Sequence, residues 1–102
     1  MIIRSRTNSN VKRIRRLFNR RERDRTGLFL VEGFQLLQEA AETSADIVEL
    51  ILAPECLDVQ SSRLIASIQE GRDIRELRVS PEVLTSISPK HGDQGVAAVV
   101  RQ

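Results

Sequence analysis

The run Val96-Ala97-Ala98-Val99-Val100 places five apolar residues in a row with no polar position among them. A strand with one face in water alternates apolar and polar residues, so a strand that does not alternate is covered on both faces. The rest of the chain has the spacing to cover it. Leu28-Phe29-Leu30-Val31-Glu32-Gly33 is a short apolar run ending at a glycine, and Asp46 to Ala53 is another, closed by Pro54. A further strand is expected within Asp73 to Val79, beginning at Ile74 or Arg75, with Leu77 and Val79 on one face. Helical spacing fills the intervals. Phe34, Leu37, Ala40 and Ala41 share one helix face; Asp58 or Ser61 can cap a second helix carrying Leu64, Ile65 and Ile68, with Gly71 past its end; Ser80-Pro81-Glu82 opens a third, short helix with Val83, Leu84 and Ile87. Four strands alternating with three helices predict an α/β domain in which helices cover the sheet, with right-handed crossovers wherever parallel neighbours are joined.

An additional helix precedes this pattern. Asn8, Ser9 and Asn10 are all competent caps, and Val11, Ile14, Leu17 and Phe18 then fall at the spacing of one helical stripe. At about 100° per residue that stripe lies opposite Lys12, Arg13, Arg16 and Arg20. The expectation is a helix with an apolar seat and an arginine back, preceded by a flexible or loosely docked lead-in over Met1 to Thr7. Arg23 to Thr26 read as a turn, with Gly27 ending the helical stretch.

Charge is distributed unevenly. Arg4 to Arg25 contains ten basic residues (Arg4, Arg6, Lys12, Arg13, Arg15, Arg16, Arg20, Arg21, Arg23, Arg25) against Glu22 and Asp24, a local +8, while the remainder has six basic residues and twelve acids, net −6. A concentrated cationic patch attracts polyanions. Fourteen of the sixteen basic residues are arginine, suited to bidentate phosphate contact. Three phenylalanines and no Trp or Tyr argue against a broad base-stacking platform. A nucleic-acid-binding helix docked on its own domain is the leading reading. A solvated charged face, a mitochondrial-type presequence and a calmodulin-target or membrane-surface helix stay open as alternatives.

Several chemistries lack their residues. No stretch approaches the roughly 18 apolar residues of a membrane span. Cys56 is the lone cysteine and reads as a half-buried small hydrophobe, compatible with a reducing, cytoplasmic setting. His91 is the lone histidine, and with Asp93 reads as a solvated turn residue, so neither a metal centre nor a Cys-His dyad is expected. Gly92 and Gly95 form only a turn signal, and there is no phosphate-binding glycine loop or GxSxG motif. Glu32 stands at the mouth of a strand as an isolated carboxylate, expected to pair with an arginine or to cap the turn at Gly33.

An asparagine in the opening cap (Asn10), Lys12, Arg16, Leu17, Arg21 and Arg23 along and after the first helix, then Phe29, Val31, Glu32 and Gly33 as F-x-V-E-G, and finally Gln94-Gly95-Val96 form a combination. It resembles the N-terminal substrate-binding domain of SpoU/TrmH-type RNA 2′-O-ribose methyltransferases, over essentially the whole chain. The resemblance implies an L30e/L7Ae-like three-layer α/β/α sandwich, residues 1–102 being one domain that binds RNA, foremost rRNA. It also implies a separate C-terminal domain, knotted and commonly dimeric, that binds S-adenosylmethionine and whose motifs are absent here. On that reading the chain holds no catalytic, cofactor or metal ligands. RNA contacts are expected from Arg4, Arg6, Lys12, Arg13, Arg16, Arg20, Arg21, Arg23 and Arg25, with Glu32 shaping the turn beside them. The rival expectation is a stand-alone L7Ae-type ribosomal protein, and a third is a mitochondrial import segment on a small structural domain.

Overall fold

The computed structural model describes residues 1–102 and is built on one four-stranded sheet. Strands β1 (Leu28–Glu32), β2 (Asp46–Leu52), β3 (Arg75–Arg78) and β4 (Val96–Arg101) lie in the order β1-β4-β2-β3. β4 runs antiparallel to both β1 and β2, and β2 runs parallel to β3. The sheet is therefore mixed, with a single parallel pair. β4 occupies an interior position with Val96 to Val100 all buried, as the absence of polar residues in that run requires.

Helices α1 (Ser9–Arg15) and α5 (Pro81–Ile87) supply one layer. Val11, Ile14, Leu17, Val83, Leu84 and Ile87 pack there on Ile51, Leu77, Ala97 and Val99. On the other face α3 (Phe34–Glu42) and α4 (Val59–Gln69) contribute Leu37, Ile65 and Ile68 against Val31, Leu50, Leu52, Val96, Ala98 and Val100. The strict alternation along β4, with Ala97 and Val99 on one side and Val96, Ala98 and Val100 on the other, is the period-2 pleat dividing its side chains between two cores. The result is the expected three-layer α/β/α sandwich.

The caps follow local chemistry. Asp58 Oδ1 accepts the Ser61 N–H at 2.7 Å and starts α4, and that bond holds the Asp58 carboxyl below its ordinary range. Ser80 Oγ accepts the Val83 N–H at 3.3 Å ahead of Pro81. A bulge between Ile47 and Glu49 shifts the side-chain parity of β2. Ile47 thereby joins Leu50 and Leu52 in the α3/α4 core, and Glu49 is left on the face that α1 covers.

The N-terminal region departs from expectation in four ways. The lead-in is docked: Ile3 bridges Val79 in parallel, its N–H bonding Arg78 O at 2.9 Å and its carbonyl accepting from Ser80 N at 2.8 Å. Asn8, not Asn10, caps α1, its Oδ1 accepting from Asn10 N at 2.9 Å. The basic helix is two helices, because after a 3-10 turn at Arg16–Phe18 the chain extends at Asn19, whose side chain caps α2 (Arg20–Thr26) through Arg21 N at 2.8 Å. Arg23 to Thr26 are therefore helical, and Gly27, at φ 69°, ends that helix in the left-handed region.

Candidate nucleic-acid interface

The 3-10 turn over Arg16–Phe18 decides which way Phe18 points. Val11, Ile14 and Leu17 are buried as the stripe predicts, but Phe18 is 46% exposed and is not part of the seat. The turn that carries it is pinned from α2, where Arg23 Nη1 donates to the carbonyls of Leu17 at 2.9 Å and Phe18 at 2.8 Å. Arg23 thus spends its guanidinium on two backbone carbonyls that a 3-10 turn leaves open.

The predicted cations divide according to what holds them. Arg13, assigned to the solvated back of the helix, instead reaches the buried Glu49, with guanidinium nitrogens 3.1 Å from each carboxylate oxygen. Arg75 approaches the same carboxylate at 3.6 Å, and Asn10 Oδ1 accepts from both arginines. Glu49 is the one charge inside an apolar run, and a carboxylate retained there needs charged partners. Arg25 grips both oxygens of Glu22, at 3.0 and 2.7 Å, so the hydrogen bond lowers the Glu22 carboxyl from its ordinary value and raises the Arg25 guanidinium. Arg20 stands 3.9 Å from Asp24 and Arg4 3.7 Å from Glu55, both exposed pairs of the kind that contribute little to stability. Arg15 ties α1 to α5 by donating to Ser86 Oγ at 3.0 Å, and also to the carbonyl of Arg6.

Arg6, Lys12, Arg16 and Arg21 remain exposed and make no ion pair. Two shallow hollows run between them. Lys12, Arg15 and Arg16 line one; Arg16, Asn19, Arg21 and Glu22 line the other. Arg25 pairs with the carboxylate of Glu22, so with Arg16 and Arg21 also lining it the second hollow is net positive. Arg13→Ala is expected to lower folding stability by about 2 kcal/mol, since Glu49 then keeps only its longer pair with Arg75. Lys12→Ala, one residue away, is expected to change it by no more than about 0.5 kcal/mol. Urea denaturation of the two variants checks the division; equal losses would refute it.

Glu32 takes neither of its expected partners. Its Oε1 accepts from the Ser88 hydroxyl at 2.7 Å, and Ser88 is fully buried. The turn at Gly33 is closed by Gln94: the Phe34 N–H at the start of α3 donates to Gln94 Oε1 at 2.8 Å, and Gly33 N–H donates to Val96 O at 3.1 Å. F-x-V-E-G and Q-G-V, some sixty residues apart, are therefore the two halves of one junction, with Glu32 and Ala97 in register. Ser88 carried no signal in the sequence and Phe18 was read only as part of the apolar stripe; Glu49 went unread, although a lone charge inside an apolar run was the signal that could have found it.

The MRM3-like substrate binding domain family model matches residues 8–98. Among solved structures the chain is similar to an RNA 2′-O ribose methyltransferase, with a TM-score of 0.86 and 26% identity, over 99% of this chain and 37% of that one. It is similar to an rRNA methyltransferase from Sinorhizobium meliloti, with a TM-score of 0.78 and 27% identity, over 100% of this chain and 37% of that one. A third is the SpoU methyltransferase AviRb from Streptomyces viridochromogenes in complex with AdoMet, with a TM-score of 0.75 and 25% identity, over 93% and 33%. The chain thus spans about a third of the length of these proteins. No curated protein sequence matches it.

Proposed function

The chain belongs to the MRM3-like substrate binding domain family, and from that premise we propose that it captures and orients RNA for methylation of a ribose 2′-hydroxyl, with rRNA the foremost substrate. The observation that carries this reading is the set of unpaired cations, Arg6, Lys12, Arg16 and Arg21, on an arm whose Arg13, Arg15, Arg23 and Arg25 are held by partners within the fold. Phosphate contacts of this kind give affinity and register. The likeness to methyltransferases, each roughly three times as long, favours a domain of an enzyme over a stand-alone ribosomal protein.

Transfer from S-adenosylmethionine, and dimerisation, belong in this proposal to a further domain. The cationic hollows do not fit that cofactor: its sulfonium is a cation, and the sites at Lys12-Arg15-Arg16 and Arg16-Arg21 would repel it. This chain's part is to hold a polyanion in place.

Binding of a stem-loop RNA, followed by fluorescence anisotropy, is expected to weaken roughly 20-fold or more when salt is raised about four-fold, as about three phosphate contacts require. Arg16→Glu with Arg21→Glu should lower the slope of log K against log salt by about two contacts. Affinity indifferent to salt and to both reversals would overturn the proposal.

A further inference from the structure

Beside the cationic hollows lies one of a different character. It has a volume of about 420 Å³ and is lined by Phe18, Glu32, Pro89 and Lys90, which places it within the ~300–1,000 Å³ range of small-ligand clefts. The four residues come from three distant parts of the chain. Phe18 is an exposed aromatic ring on a turn that Arg23 holds in place through two carbonyls. Glu32 is anchored on one side only. Its Oε1 is bonded to Ser88, while its Oε2 makes no hydrogen bond, and since no buried side-chain oxygen in the molecule lacks a partner, Oε2 faces solvent. Lys90 adds an exposed ammonium beside them.

An aromatic face, a fixed acceptor and a cation around one opening match the parts of a nucleotide. Unpaired RNA bases are recognised by stacking on aromatic rings and by hydrogen bonds to their Watson–Crick edges. An ionised carboxylate only accepts hydrogen bonds, so it selects edges that carry N–H donors. The geometry points to a pocket for a single unpaired base, stacked on Phe18, with its donor edge on Glu32 and its phosphate at Lys90. Guanine fits best, because its N1–H and exocyclic amino group are two adjacent donors and the solvent-facing Oε2 can accept from either. Uracil fits worst, since its one imino N–H is flanked by carbonyl oxygens that the carboxylate repels. The inference rests on the RNA-binding reading above and adds base recognition to it. Arg16, two residues from Phe18, lines both cationic hollows, so a backbone held there can feed a base toward Glu32.

The test uses a stem-loop RNA with an all-uracil loop and its counterpart with one loop guanine, titrated into the full chain at fixed low salt. The wild type should bind the guanine loop about five-fold or more tightly, and Phe18→Ala should weaken that complex about ten-fold, the size of one lost stacking contact. Phe18→Leu, which keeps apolar bulk, should lose nearly as much, with melting temperatures confirming that both variants fold. Glu32→Gln separates recognition from simple repulsion. It should cost affinity for the guanine loop and not for the uracil loop, whereas a carboxylate that only repels RNA would on removal tighten both equally. Salt-sensitive binding with no base preference and no effect of Phe18→Ala would sink the pocket and leave the RNA-binding reading standing. Absence of binding to either RNA would sink both. Loss of self-association in Phe18→Ala, with RNA affinity intact, would make the hollow a protein interface and overturn the inference.

Discussion

Gly33→Ala is expected to lower the folding stability of the domain by about 3 kcal/mol. Gly33 sits at φ 86° and ψ 166°, a backbone region occupied essentially by glycine alone. Space is short as well. A Cβ there would lie 2.9 Å from Gln94 Oε1 and 3.2 Å from the His91 side chain. Gln94 must then withdraw, and with it goes the acceptor for the Phe34 N–H that begins α3. Backbone strain of ~1–3 kcal/mol and an orphaned helix donor of ~1 kcal/mol or more add on the same junction. Gly27→Ala supplies the comparison: Gly27 also has positive φ, 69°, but nothing lies within 4 Å of the added carbon, so a cost of about 1 kcal/mol is expected. Urea denaturation followed by circular dichroism measures both. Equal losses would mean that the Gln94 junction contributes nothing.

Much of the layering was legible because burial is written in composition. A strand such as Val96 to Val100 cannot face water, and Ser80-Pro81-Glu82 carries its own helix start in three residues. The pairing order was not legible. Apolar runs record that a strand is covered and say nothing of its neighbour's direction, so the antiparallel placement of β4 between β1 and β2 appeared only with the fold. The break at Asn19 was hidden for a related reason. Glu22 stands three residues after Asn19 at the spacing of a capping box, but no apolar run follows to mark the start of a new helix there.

The candidate interface divided in the same way. That the first quarter of the chain is cationic follows from counting. Which cations are free depends on acids that the topology brings near, and these lie as close as Glu22 for Arg25 and as far as Glu49 for Arg13. Helical periodicity placed Arg13 opposite the apolar stripe, yet the β2 bulge turns a carboxylate toward α1 and the arginine follows it. Phe18 was misplaced because the stripe assumes uninterrupted α geometry, and a 3-10 turn advances the chain by about 120° per residue instead of 100°. The residue lost to the core by that change is the one that gives the hollow beside Glu32 its aromatic wall.

Ile14→Ala is expected to cost about 3 kcal/mol, within the range for truncating a buried isoleucine. Ile14 is fully buried between Val11 and Leu17 in the core shared with Val83, Leu84 and Ile87. A domain of this size has roughly 5–15 kcal/mol in total, so the variant should fold but melt well below the wild type. Amides of Val11 to Arg15 should then exchange with solvent faster than those of β4, because α1 is held to the sheet largely by that seat. The functional consequence separates a docked arm from a charged tail. No charge changes in Ile14→Ala, so binding through charge alone would leave RNA affinity untouched. An array of Lys12, Arg16 and Arg21 set in place by the core must instead be ordered again when RNA binds, and ordering loosened residues costs on the order of 1 kcal/mol each. The expected result is a several-fold weaker complex at a temperature where the variant is still folded. An unchanged affinity there would show that the arm works without its seat.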